Sequence, residues 1–500
     1  MEEFVFILIM FAFSLGFGQE QQNGTSYKKR VLETSEVDFL TSYYTQDGNN
    51  ASVTGGIGNE HLTDFTPTVV VSVPLNDDDV LTVDAGISTY TSASSSNLNP
   101  FDRGTGARNA NASSGASSST VNGFNTNGGE FEDDDHQANS TAVIGPIGSP
   151  WVASSGASRQ DTWANVNMDY SHSSDSRNTI WNADASFSKE FDYSSIGFGG
   201  GLTQLFNDKN TTLGLSGKVY LDTWNPRYPT ELDSYLEANG SLSQGYFEGV
   251  TIWDQNGNAS SNWHPASGFS LIKDKARNSY SLSLSFSQIL SKNAQISLFM
   301  DVVKQQGWLG NPMQRVYFGD VSNYYIGNPE SIPNYTSSTN TDVFQLADDF
   351  ERLPNSRFKI PVGIRFNYYI NEIFALRTYY RYYSDDWGID SHTASLEIPI
   401  KVSSKFTLYP SFRYYNQTQA DYFAPYEQNS STSTYYTSDY DLSKFSANQY
   451  SFGISYTDIF AKFHIASFGL KSFDLKYSNY KRDTGLKANI VSFGFKFLMD

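Results

Sequence analysis

Cysteine is absent from all 500 residues. That excludes a disulfide framework, a thiolate metal site and a lipidated N-terminal cysteine. Charge is scarce too, at 17% of residues, and it leans acidic, with a formal net charge of −19. The balance is still −17 once Glu2 and Glu3 leave with a signal segment, which argues against nucleic acid as a partner. Only one apolar run, at the N-terminus, is long, and even it falls short of the roughly 20 residues that a membrane-spanning helix needs. The histidines, His61, His136, His172, His264, His392 and His464, show no metal-ligand spacing. No Ser, His and Asp constellation for nucleophilic catalysis can be picked out, so neither an enzyme nor a bound cofactor is expected.

The exceptional run is "FVFILIMFAFSLGFG", Phe4 to Gly18, which ends in small residues ahead of Gln19. It reads as a secretory signal over residues 1–18, although its first residues are acidic where a basic start is usual. A membrane anchor is the alternative, and the run is short for one. An exported chain with no second hydrophobic helix is either soluble or a closed barrel.

What the sequence does have is aromatic residues, 33 Tyr and 36 Phe, in a chain whose mean hydropathy is only −0.44. They are spread over alternating segments. In "SYSLSLSFSQILSKNAQISLFMDVV", residues 279–303, serine holds every second place while Tyr280, Leu282, Leu284 and Phe286 hold the places between. Successive side chains of a strand point to opposite faces, so this register separates hydroxyls from hydrocarbon. After Ser291-Lys292-Asn293 the alternation resumes, with Ala294, Ile296, Leu298 and Met300 opposed to Gln295, Ser297 and Asp301. Such a hairpin suits a soluble sandwich, or a wall with lipid outside and water inside.

The same alternation predicts about sixteen strands of membrane-spanning length, the first near 33–46 and the last near 486–498, within one domain over residues 19–500. The connections favour the wall. Those after strands 2, 4, 6, 8, 10 and 12 are short ("PLNDDD", "SHSSDSRN", "NDKN", "SKN", "NE", "SSK"), whereas long loops fall at 93–160, 224–277, 307–356 and 419–447. The links after strands 5, 11 and 15 are short as well, and the one after strand 14 is longer than its parity predicts. Sorting of turns to one rim and loops to the other is the habit of outer-membrane barrels, with turns and both termini in the periplasm. The expected fold is therefore all-β, a transmembrane antiparallel β-barrel with long extracellular loops in the lipid bilayer of the outer membrane. The last strand, with Val491, Phe493, Phe495 and Phe497 on one face, resembles the signal read by barrel-assembly machinery, though Leu498-Met499-Asp500 follow its last Phe.

With the apolar register given to lipid, the other register lines the lumen. It puts Arg365, Arg377, Arg381 and Arg413 inside, with Glu397 among them. In the N-terminal half it turns in Asp84, Asp169 and Asp184, beside Asn165, Asn167 and Asn182. Around a ring of sixteen the two groups face each other, as in a porin constriction whose transverse field sorts solutes. Alternatively, the charges pair with one another inside a plugged barrel. The reading is a channel or transporter for small hydrophilic solutes, gated by the 93–160 loop; the alternative is a non-conducting scaffold or receptor.

The loops carry weaker signals. "EFEDDDHQ" at 130–137 could hold calcium or be a solvated acidic run without EF-hand spacing. Trp224, Trp253, Trp263 and His264 could stack on a sugar or cofactor, and loop packing needs the same residues. "VTGGIG" and "GFGGGL" adjoin antiparallel strands and open no helix, so neither reads as a nucleotide fingerprint.

Two loop phrases, "PLNDDDVLTVDAGISTYTSASSSNLNPFD" (Pro74 to Asp102) and "SPWVASSGASRQDTW" (Ser149 to Trp163), resemble those of a Gram-negative barrel family of unknown function, domain-of-unknown-function family 3570. The resemblance runs from about Tyr27 to the C-terminus. It implies an outer-membrane location and supplies no activity. It also implies a partner in a small lipoprotein or a flavin-linked redox protein of the envelope.

Overall fold

The computed structural model describes residues 30–92 and 160–499, apart from 191, 226, 267, 269, 338 and 341. The signal segment, nearly all of the 93–160 loop and the acidic run at 130–137 lie outside these described residues.

Sixteen strands form one sheet. The first half comprises β1 (Glu36–Asp47), β2 (Leu62–Pro74), β3 (Asp79–Ser92), β4 (Gln160–Ser173), β5 (Thr179–Lys189), β6 (Tyr193–Phe206), β7 (Thr211–Trp224) and β8 (Lys275–Ser291). The second comprises β9 (Ala294–Gly307), β10 (Ser356–Tyr369), β11 (Ala375–Asp385), β12 (Asp390–Glu397, resuming at Ile400–Lys401), β13 (Phe406–Leu408 and Ser411–Gln417), β14 (Phe445–Thr457), β15 (Phe468–Arg482) and β16 (Lys487–Met499). Each pairs antiparallel with the next, and β1 pairs back onto β16 from Glu36 opposite Leu498 to Asp47 opposite Lys487. The sheet closes on itself and keeps no edge.

The two faces of this cylinder meet different solvents. Leu202, Leu215, Leu284, Met300 and Val362 stand opposite one another in turn from β6 to β10. Leu202, Leu215, Leu284 and Val362 are 42–48% exposed. A sandwich would bury that row, whereas a lipid-facing wall leaves it outside. The serines of β8 take the opposite face, where Ser287 and Ser297 join hydroxyls at 2.6 Å. No helix among the described residues is long and apolar enough to cross a membrane.

The strand boundaries depart from the sequence expectation where proline intervenes. Pro399 and Pro410 have no N–H for the ladder, and β12 and β13 break beside them. The pairing survives through carbonyls, with Ala375 N–H donating to Pro399 O at 3.1 Å and Ile398 N–H to Pro410 O at 3.1 Å. The unexpectedly long link after β14 contains a small hairpin in which His464–Ile465 pairs with the start of β15.

At the other rim the long connections are folded. Helix α1 (Thr230–Glu237) and strand Ile252–Asp254 lie in the β7–β8 connection; that strand pairs with Tyr324–Gly327, which pairs with Val343–Gln345, both from the β9–β10 connection. Together they bury Leu232, Phe247, Trp263, Ile326, Phe344 and Leu346, none more than 2% exposed. Burial of each such side chain contributes about 1.5–3 kcal/mol. The loop aromatics are spent on this packing. Trp263 donates to Ala347 O, and Trp253 donates to Gly327 O at 2.9 Å.

Candidate functional site

The inner face and its mouth form the candidate site. Because paired residues share a face, the register places every predicted lumen residue on the side of the β8 serines. Arg365, Tyr379, Ser395, Arg413, Gln449 and Tyr480 stand opposite one another in turn from β10 to β15, a single transverse row. Arg381 lies in the next row, between Gly363 and Thr393. Arg377 lies in the row on the far side, facing Asn367 and Glu397.

These arginines are not equivalent. Arg377 holds Glu397 at 2.9 Å. Arg365 lies beside two rings, 5.5 Å from that of Phe299 and 5.4 Å from that of Tyr379, and the rings stack 5.6 Å apart. Phe299 can lie flat there because its strand neighbour is Gly363, where a Cβ would come within 2.1 Å of the ring. Arg381 has a buried Nε with no hydrogen-bond partner among the described residues. Arg365, Arg381 and Arg413 have no ion-pair partner among the described residues.

The carboxylates opposite are all engaged. Asn167 donates to Asp84 at 3.0 Å, and Asn182 donates to Asp169 at 2.7 Å. Asp169 and Asp184 stand directly across from each other on β4 and β5, a like-charge juxtaposition. Lys218 on β7 relieves it by reaching Asp184 at 3.0 Å. This lysine was missed in the sequence, where no local pattern links it to β5. The link is "GFGGGL": Gly199 lies between the two on β6, and a Cβ there would come within 2.5 Å of Asp184 Oδ1. Lumen side chains of neighbouring strands need that space.

The mouth is bridged. The β1–β2 and β9–β10 connections leave the sixteen-strand ring eight strands apart, on opposite sides. Yet Arg315 donates to Val53 O at 3.0 Å, and a Cβ on Gly55 would strike the Tyr317 ring. Gly55, Gly56 and Gly58, the glycines of "VTGGIG", all have positive φ, a backbone that only glycine adopts freely. Arg315 also grips Glu231 of α1 with bonds of 2.7 and 3.0 Å, both side chains at most 2% exposed. The β13–β14 connection joins through Tyr436 on Asp349, Thr437 on Glu351 and Tyr426 on Gln345.

This cap holds buried acids. Burial raises the Asp348 carboxyl to about 7. Glu351 and Asp439 are raised as well, by burial first and by neighbouring carboxylates second. Among the described residues no group of three His, Asp or Glu is arranged to hold a metal ion.

A family model described as "Protein of unknown function (DUF3570)" matches residues 9–494. The chain belongs to this family. The DUF3570 match spans every barrel strand but the last residues of β16, as the two loop phrases led one to expect. No curated protein matches the chain in sequence. Among solved structures, a Pseudomonas aeruginosa FadL homologue has 9% identity and a TM-score of 0.36, covering 94% of this chain and 91% of that one. The Pseudomonas putida toluene transporter TodX has 8% identity and a TM-score of 0.36, covering 93% and 90%. Pseudomonas aeruginosa OpdK, solved with vanillate, has 8% identity and a TM-score of 0.35, covering 93% and 98%. The likeness is of one large barrel to another.

Proposed function

We propose that this DUF3570 barrel is an outer-membrane conduit for small hydrophilic solutes, sorted by the arginine side of its lumen and admitted through the cap. The observation that carries the reading is an asymmetry: among the described residues Arg365, Arg381 and Arg413 have no ion-pair partner, whereas Asp84 and Asp169 accept from asparagine neighbours and Asp184 is paired with Lys218. Charges that existed only to knit a plugged interior would have found one another. Guanidiniums left open are available to a passing anion. In this orientation the turn-bearing rim and both termini lie in the periplasm, and the Phe-rich β16 is what the barrel-assembly machinery would meet.

The test is conductance of the purified protein in planar bilayers. Replacing Arg365 and Arg413 with Gln removes two positive charges and should shift the reversal potential in a salt gradient toward cation preference. Asp84→Asn with Asp184→Asn should shift it the other way. Both shifts should fade at high salt, where the Debye length falls from about 10 Å at 0.1 M to about 3 Å at 1 M. A second reading, a non-conducting receptor or scaffold for a lipoprotein or redox partner, is favoured by the cap, whose connections meet across the mouth. Silent bilayers across all variants would select it.

A further inference from the structure

A cavity of about 260 Å³ opens in the inner wall between β13, β14 and β15, under the β13–β14 connection. Its cause is one small side chain. Ala447 on β14 stands between Tyr415 on β13 and Arg482 on β15, so a methyl group occupies a place flanked by two large residues. In the adjacent row Arg413 faces Gln449, and Gln449 faces Tyr480. The connection above supplies Asp441, also part of the lining.

The lining has a definite charge and polarity. Arg482 is already committed: its Nη1 donates to Asp441 at 2.6 Å, its Nε donates to the Tyr480 hydroxyl at 3.0 Å, and it lies 4.4 Å from the Phe445 ring centre. Arg413 has no such commitment among the described residues. Two guanidiniums to one carboxylate leave a single positive charge in excess. The remaining walls are rings, with Tyr415 and Phe445 centred 5.5 Å apart and Tyr480 opposite. Tyr415 spends its proton on Gln417 at 2.6 Å, which turns its ring, not its hydroxyl, to the hollow.

We propose that this cavity is a binding site for a small monocarboxylate with a flat aromatic body, whose carboxylate takes the Arg413 guanidinium and whose ring lies among Tyr415, Phe445 and Tyr480. One charge in excess suits a monoanion. A guanidinium fork matches a carboxylate in two parallel bonds. The aromatic walls offer offset or edge contacts to a ring, and a volume this small admits one such molecule. The proposal rests on the conduit reading in one respect, that solute reaches the inner face. It makes the site a pause point just inside the cap.

The experiment is calorimetric titration of the detergent-purified full chain with benzoate, benzamide and acetate. Benzoate should bind, and the uncharged amide and the ringless acetate should each bind at least ~10-fold more weakly, since each lacks one half of the recognition. Arg413→Gln should weaken benzoate by a similar factor while leaving the unfolding temperature unchanged, because among the described residues Arg413 makes no ion pair or hydrogen bond. Ala447→Leu fills the hollow without touching charge and should abolish binding. Equal affinity for benzoate and benzamide, or unaltered benzoate binding in Arg413→Gln, would overturn the site. Because titration needs no current, benzoate binding by a barrel silent in bilayers would refute the conduit alone, and a conducting barrel that ignores benzoate would refute the site alone.

Discussion

The Arg315 guanidinium and the Glu231 carboxylate meet through two hydrogen bonds, 2.7 and 3.0 Å long, in a place where neither side chain is more than 2% exposed. Arg315 adds a contact to the Phe344 ring, 5.1 Å from its centre, and the bond to Val53 O. One residue thus ties the β1–β2, β7–β8 and β9–β10 connections together. Removing one member of a buried pair strands the other and costs about 3–5 kcal/mol. Glu231→Gln should therefore loosen the cap while the barrel persists, because no strand depends on it. The expected result is faster proteolysis within 225–274 and 308–355, with heat stability of the barrel unchanged. Cleavage no faster than in the parent would show that the hydrophobic core alone holds the cap.

The buried acids make the cap sensitive to pH, and the direction follows from which form burial favours. Asp348 has its folded pKa raised from 3.8 to about 7, so the folded cap binds a proton that the unfolded one releases. Its contribution is fully present below about pH 4 and is lost as pH rises toward 7. Glu351 and Asp439 are shifted the same way and act in the same sense. Hydrogen exchange of the cap, corrected for intrinsic rate, should be slowest near pH 4 and should quicken toward pH 7. Asp348→Asn should flatten part of that profile. A cap that tightens with rising pH would contradict the burial of these carboxyls.

The lipid wall has its own test in the hairpin that showed the two faces in sequence. Leu284 lies near the middle of β8, is 44% exposed and stands in the outer row between Leu215 and Met300. Leu284→Arg should cost about 2–4 kcal/mol in the bilayer, whereas Ser283→Arg points into the lumen and should be tolerated. Expression and thermal unfolding in detergent and in liposomes would compare them. Equal behaviour would argue against a lipid-facing row.

The strands were legible because their signal is local. In β8 and β9 a period of two and a three-residue turn define both faces and the register, so the pairing of Ser287 with Ser297 could be anticipated from the serine spacing. The breaks at Pro399 and Pro410 were visible as prolines but not as interruptions the sheet could bridge. The cap was read only as loop, since Arg315 and Glu231 are brought together by packing across 84 positions and share no period. Among the lumen charges the sequence indicated the face and could not indicate the partner. Arg377 and Arg381 look alike in "RTYYRYY", yet one holds Glu397 and the other has an unpartnered Nε.

Lys218 and Asp184 offer a sharper test of that non-local pairing, because their contact depends on a third residue that touches neither chemically. Lys218 reaches Asp184 at 3.0 Å only by passing over β6 at Gly199. A methyl there would meet Asp184 Oδ1 at 2.5 Å, so Gly199→Ala must swing the carboxylate away. Crowding of that kind costs about 1–3 kcal/mol. Lys218→Met removes the same interaction from the other end and leaves Asp184 facing Asp169 without relief. If both act through one ion pair, the double variant should be destabilised by less than the sum of the singles. Lys218→Met should also move the reversal potential toward cation preference by deleting a positive charge, whereas Gly199→Ala, which frees both partners and alters no charge, should move it little. Additive destabilisation, measured by thermal unfolding of all four proteins, would show that Gly199 serves only the backbone and that the bridge over β6 contributes nothing.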